Sequence, residues 1–79
     1  MTNREKYNKV FMESLDVQES ELAELKYQDV ASWDSVGHMG LISELEDAFD
    51  IQFETDDIVD FGSYAKGIEL LKKYDVVIE

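Results

Sequence analysis

Cysteine and proline are both missing from this sequence, and glycine occupies only four of its 79 positions. Without cysteine there is no disulfide staple, no thiolate metal site and no cysteine nucleophile. The absence of proline favours helices over a turn-rich β architecture. Apolar runs are only a few residues long, so no segment reads as membrane-spanning. The N-terminal MTNREKYNKVF lacks the apolar stretch of a signal peptide. A cytoplasmic location is the default expectation. The length fits one domain, residues 1–79, and a chain this short buries only about 60% of the surface its unfolded form exposes.

Positive charge is the other scarcity. Nineteen Asp and Glu face seven Lys and Arg, a formal net charge of −12. Between Tyr27 and Ala65 there is no Lys or Arg, whereas Asp29, Asp34, Glu44, Glu46, Asp47, Asp50, Glu54, Asp56, Asp57 and Asp60 all fall there. Such a field repels nucleic acid and anionic membrane and attracts basic protein surfaces. Acidity by itself only keeps a small domain soluble. Its sorting along the chain points further, to a docking face. High charge can also leave a chain unfolded, but 44% hydrophobic and 11% aromatic residues in periodic array argue for a folded core. Repulsion among the carboxylates predicts a fold sensitive to salt and divalent cations.

Periodicity outlines the helices. Tyr7, Val10, Phe11, Ser14 and Leu15 form one stripe of a helix over Arg4–Leu15, with Thr2 or Asn3 as its cap. A long connection, Asp16 to Asp34, follows. Glu19–Leu25 can form a helical turn there, and Leu22, Leu25, Tyr27, Val30 and Trp33 are expected to pin it to the core. A second helix starts at Asp34 or Ser35 and ends near Phe49–Asp50. Val36, Met39, Ile42, Leu45 and Phe49 make its stripe, widened by Leu41 and Ala48. Gly37 and Gly40, three apart, leave one face low enough for close approach of a partner or ligand. Thr55 is expected to cap a short acidic helical turn, and Ser63 a last helix over Tyr64–Tyr74. The apolar side of that last helix reads as Tyr64, Ala65, Ile68, Leu71 and Tyr74. The fold class is therefore all-α: a small four-helix bundle with three main helices, one short one, and a long loop between the first and second.

The stretch SWDSVGHMGLI concentrates the functional question on Ser35. In one reading Asp34 or Ser35 simply caps the second helix. In another, Ser35 is a nucleophile with His38, one turn on, as its base. No Gly-x-Ser-x-Gly elbow or oxyanion loop accompanies the pair, and the chain is too short for a roofed active site. The expectation is that the protein is not an enzyme. In the third reading Ser35 is a substrate: a hydroxyl at a helix N-terminus is exposed, and the terminal N–H groups and dipole stabilise a phosphate esterified there. Acidic residues on the following helix would then recruit a modifying enzyme with a basic face.

Several features in one register carry a resemblance. They are Asp34-Ser35-Val36, the apolar spacing 36/39/42/45/49, Glu44-Leu45-Glu46 and the Phe49-Asp50 ending. The segment DSVGHMGLISELEDAFDIQF resembles the core of acyl carrier proteins, and the order of elements extends the resemblance to nearly the whole chain. The resemblance implies an acyl-carrier-like bundle in which Ser35, with Asp34 beside it, bears covalent phosphopantetheine from coenzyme A. A magnesium-dependent phosphopantetheinyl transferase would attach it. The arm's thiol would hold an acyl or aminoacyl group as a thioester and deliver it to loading and transferring enzymes. Docking on their basic faces would use Val36, Met39, Glu44, Glu46, Asp47, Asp56, Asp57 and Asp60. An acyl cleft between helices maps onto Met39, Leu45, Phe49, Phe53, Phe61, Ile68 and Leu71, residues that an ordinary core explains equally well.

Two departures shape the expectation. Val36 stands where the family's fatty-acid members usually have leucine, and Gly37, His38 and Gly40 replace acidic residues in the first half of the second helix. Bulky Phe53 and Phe61 leave little room for a long chain. The reading is a specialised, monomeric carrier of a short acyl, hydroxyacyl or aminoacyl group. The alternative is an unmodified acidic adaptor bundle that binds a basic protein partner. The dense carboxylates at 47–57 lack EF-hand spacing, so no dedicated metal site is expected.

Overall fold

The computed structural model describes residues 1–79 and contains four α-helices: α1 (Asn3–Leu15), α2 (Ser35–Phe49), α3 (Thr55–Asp60) and α4 (Tyr64–Lys72). A single 3-10 turn, Glu19–Glu21, interrupts the long connection between α1 and α2. There is no strand, only an isolated antiparallel bridge between Lys26 and Ser63. The fold is thus the all-α bundle that the periodicity predicts. None of its helices is long and apolar enough to cross a membrane.

Local chemistry sets the helix ends. Thr2 caps α1 through a capping box: its Oγ1 accepts from the Glu5 amide (3.1 Å), and the Glu5 carboxylate accepts from the Thr2 amide (2.9 Å). The Ser63 hydroxyl accepts from the Lys66 amide at 2.9 Å and starts α4. Helix α3 instead begins after Glu54, which makes no side-chain cap, so Thr55 is its first residue rather than its N-cap. Both α1 and α2 stop at an aspartate in the left-handed region, Asp16 (φ 55°) and Asp50 (φ 53°). In each case the cap amide still donates to the carbonyl four residues back, Met12 or Glu46.

The core is aromatic at its centre. Phe11 is fully buried and lies 4.9 Å from Tyr7, 5.3 Å from Tyr64, 5.6 Å from Trp33 and 6.1 Å from Phe61, centroid to centroid. The Tyr7 hydroxyl donates to the Tyr64 carbonyl at 2.7 Å, so even this buried polar atom is satisfied. Leu15, Leu41, Ile42, Leu45 and Leu71 close around this cluster. The end of α2 is tied back to α1, where the Lys6 ammonium sits 4.9 Å over the Phe49 ring.

The long loop is held as expected by Leu22, Leu25 and Trp33, all buried, with Val30 half-buried. Tyr27, expected to join them, is more exposed. Its amide instead donates to the Gly62 carbonyl and the Tyr64 amide donates to Leu25, a two-bond clasp of the loop onto the start of α4. The face of α4 is rotated from its predicted position. Tyr64, Gly67, Leu70 and Leu71 are buried, Ala65 is exposed, and the helix ends at Lys72 rather than Tyr74. Past that end, Val76 and Ile78 alternate into the core, and the Val77 carbonyl accepts from the Asn3 side chain.

Asp57 was expected on the acidic docking face, and the structure puts it inside. Its side chain is 4% exposed. Lys73 Nζ donates to both carboxylate oxygens, at 2.8 and 3.0 Å, and the Tyr74 hydroxyl donates to Oδ2. The carboxylate thus fastens α3 to the C-terminal end of α4. The Lys73 hydrogen bond first, then that from Tyr74, holds the Asp57 carboxyl below the usual aspartate range. A depressed folded pKa gives stability that is present above the unfolded value and lost as pH falls through the folded one. The melting temperature of the parent should exceed that of Asp57→Asn by a constant margin above about pH 5, and the margin should shrink as pH falls below about 4. Comparing the two proteins cancels the repulsion common to both. A margin unchanged down to about pH 2 would mean that this carboxylate does not contribute through its charge.

Candidate functional site

Helix α2 starts on a well-made cap. Asp34 has extended backbone, and its Oδ1 accepts from the Gly37 amide at 2.8 Å while its carbonyl accepts from His38 at 2.7 Å. Asp34 is therefore the cap and Ser35 the first helical residue, with its side chain exposed. The Asp34 side chain takes one first-turn amide. Those of Ser35 and Val36 have no intrahelical acceptor, as the geometry of a helix start requires.

The segment before the cap is fastened to the body of the domain. Ser32 Oγ donates to the Leu15 carbonyl at 2.6 Å, the Gln28 amide donates to the Trp33 carbonyl at 3.0 Å, and the Trp33 ring is fully buried. Gly37 is needed here. A Cβ on it would lie 1.8 Å from the Ser32 carbonyl oxygen, so the low face expected for a partner is filled at Gly37 by the chain's own loop. Gly40, by contrast, has nothing within 4 Å of that position.

His38 is the joint of the site. Trp33 Nε1–H donates to its Nδ1 at 2.9 Å, and its Nε2 lies 2.8 Å from the Ile58 carbonyl. An indole can only donate and a carbonyl can only accept, so the ring is the neutral Nε2–H tautomer. Its plane lies within 18° of the Trp33 ring, with Tyr27 and Phe61 edge-on at 5.5 and 6.1 Å. The ring thereby links the loop, α2 and α3. Both nitrogens are thus engaged away from Ser35, and the ring makes no hydrogen bond to the Ser35 hydroxyl.

Around this joint lies an apolar groove of about 350 Å³. Ser35 stands on its rim, and Tyr27, His38, Met39, Ile58 and Phe61 are among its walls. No charged residue lines it. Val36, Met39 and Val59 expose 80%, 53% and 76% of their surface around α2 and α3. Val36 and Met39 therefore face solvent rather than completing the core stripe. Of the expected docking carboxylates, Glu44, Asp47, Asp56 and Asp60 are exposed. Glu46 is half-buried, and its Oε2 accepts from the Phe53 amide at 2.8 Å. Asp57 is withdrawn from the surface as described.

The expected acyl cleft is mostly core. Leu45, Phe53, Phe61 and Leu71 are buried in the common cluster, while Phe49 and Ile68 pack half-buried against it. Only Met39 and Phe61 of that set reach the groove. Sequence reasoning missed Tyr27, Ile58 and Val59 as groove residues. The Ile58-Val59 pair, two apolar residues within an otherwise acidic turn, is the one available signal. No group of three or more His, Asp or Glu side chains is placed to hold a metal ion. In comparisons with known proteins, no protein-family model, curated sequence or solved structure matches the chain.

Proposed function

We propose that the protein is an acyl carrier, bearing phosphopantetheine as a phosphate ester on Ser35 and presenting a thioester-bound group to partner enzymes. The observation that carries this reading is the placement of Ser35: an exposed residue on the first turn of α2, directly after its cap, at the rim of an uncharged groove. Phosphopantetheine fits there. The Ser35 and Val36 amides and the positive end of the helix would be available to a phosphate esterified at that hydroxyl, and an arm attached there would start beside an apolar surface. The group supplies the thiol that this cysteine-free chain lacks. The chain supplies the anchor, the cap that orients it, and the surface that partners read. Exposed Val36 and Met39, together with Glu44, Asp47, Asp56 and Asp60, suit an enzyme face that combines an apolar contact with Lys or Arg.

Intact mass before and after incubation with coenzyme A, magnesium and a broad-specificity phosphopantetheinyl transferase tests this directly. The expected result is a gain of one phosphopantetheine unit, wholly absent in Ser35→Ala. Because Asp34 is the cap, Ser35→Ala should leave the melting temperature close to that of the parent. No gain, with a transferase active on a control carrier, would favour an adaptor that binds a basic partner without modification.

A further inference from the structure

We propose that His38 is a proton-operated latch: neutral, it ties the loop and α2 to α3, and on taking a second proton it lets that side of α3 go. The latch stands on the geometry of these three elements and holds whether or not Ser35 is modified.

Only the neutral ring fits its position. Trp33 Nε1–H donates to Nδ1 at 2.9 Å, and Nε2–H donates to the Ile58 carbonyl at 2.8 Å. A second proton has to go onto Nδ1, where it meets an N–H that can only donate. The indole cannot turn away, because the Trp33 ring is fully buried and lies within 18° of the imidazole plane. An imidazolium donates more strongly to a carbonyl than a neutral ring does. It reaches Ile58, however, only in the pose that sets donor against donor at Trp33.

No neighbour offsets the added charge. The ion pairs of the chain are Lys66–Glu69 and Lys73–Asp57, and neither involves His38. From the loop the ring faces Trp33 and the titratable Tyr27, from α3 the Ile58 carbonyl, and beyond it Phe61. The Asp34 carboxylate is taken by the Gly37 amide, Asp29 by the Lys26 amide, and Asp57 by Lys73 and Tyr74. Asp56 and Asp60 are exposed on α3 and make no bond to the ring. A charged His38 is therefore better solvated swung out into water than in its half-buried closed position. The proton binds the released arrangement better than the latched one, so acid favours release.

Helix α3 depends on such ties. It has six residues and no side-chain N-cap, and so short a helix does not persist unaided. Its hydrogen bonds to other elements are of two kinds: the His38 ring on the groove side, and Lys73 with Tyr74 on Asp57 at the other. The two respond in separate pH ranges. Histidine ordinarily changes charge between about pH 5 and 8, and His38 is the only one in the chain. The Asp57 tie holds until the pH falls below about 4. Mild acid thus frees one side of α3, which carries exposed Asp56, Val59 and Asp60, while the other side stays fastened.

The test follows the protein by NMR from about pH 8 to about pH 5. The signals are the His38 ring, the Trp33 indole N–H, and the Val59 amide, which shares its peptide group with the Ile58 carbonyl. All three are expected to move with one midpoint. Hydrogen-exchange protection of the α3 amides should fall roughly three- to tenfold on the acid side, the weight of one hydrogen bond. In His38→Gln the side-chain amide can accept from Trp33 and donate to Ile58 but does not titrate, so the Trp33 and Val59 signals and the protection should stay constant. Trp33→Phe removes the opposing donor, and its His38 signals should report proton uptake at higher pH than in the parent. A His38 ring that stays neutral throughout would overturn the proposal. So would a Trp33 signal that moves while Val59 and the α3 protection do not, because the proton would then break only the loop tie. Equal loss of protection in His38→Gln would overturn it as well, by assigning the effect to other groups. None of these outcomes bears on the carrier reading, which the mass gain decides.

Discussion

Trp33→Ala is expected to bring the domain to the edge of unfolding. Removing a fully buried tryptophan costs about 3–5 kcal/mol, and a domain of this length has roughly 4–12 kcal/mol in all. The ring lies 5.6 Å from Phe11 and anchors the loop that leads into α2. Its N–H is also the donor to His38 Nδ1, so the alanine variant loses packing and the alignment of the His38 ring together. Urea titration followed by circular dichroism should show a midpoint lowered to the point where much of the protein is unfolded in buffer. Trp33→Phe separates the two effects. It keeps most of the apolar contact and leaves the imidazole nitrogen unpaired, at a cost on the order of 1–3 kcal/mol. An alanine variant melting within a few degrees of the parent would contradict the central place given to this side chain.

Gly37→Ala carries the second large effect, and it reaches function as well as stability. The new Cβ meets the Ser32 carbonyl oxygen at 1.8 Å and its carbon at 3.0 Å, both backbone atoms that no rotamer change can move. Either the loop peels away from Leu15 or the first turn of α2 unwinds. Each displaces the Asp34 cap and moves Ser35. Overpacking of this kind costs about 1–3 kcal/mol, and under the proposed carrier function addition of phosphopantetheine should slow markedly. Gly40→Ala is the matched control on the same helix. With open space around it, alanine should stabilise by about 1 kcal/mol through helix propensity alone. The pair is read by thermal melts and by the time course of mass gain. Equal behaviour of the two alanine variants would show that the loop does not press on Gly37.

These two glycines mark the boundary between what a sequence carries and what it does not. In sequence they are equivalent, three residues apart in one helix with the same intrinsic cost. Only the return of residues 28–34 across the start of α2 makes one indispensable and the other replaceable. The same holds for His38. Its pairing with Trp33 and Ile58 joins side-chain and backbone atoms of a loop and two helices, and no periodicity encodes that.

By itself the sequence determined the number of helices, their class and most of their ends. Those are decided within a few residues: Thr2 with Glu5, Asp34 with Gly37 and Ser63 with Lys66 bind across three positions, and the stripes of α1 and α2 recur every three or four. It also marked Ser35 as a hydroxyl at the start of α2, which is a local feature. The tertiary structure decided which part of each apolar stripe faces inward. The α2 stripe is wider than its buried side, so packing against α1 took Leu41, Ile42 and Leu45 and left Val36 and Met39 to solvent. It decided, too, that Asp57 turns inward, because Lys73 and Tyr74 arrive from the far end of α4 to receive it. A charge pattern read along a chain cannot anticipate that, since burial of a carboxylate depends on a partner brought from elsewhere in the fold. The groove arose the same way, from the distance at which α3 settles against α2 and the loop.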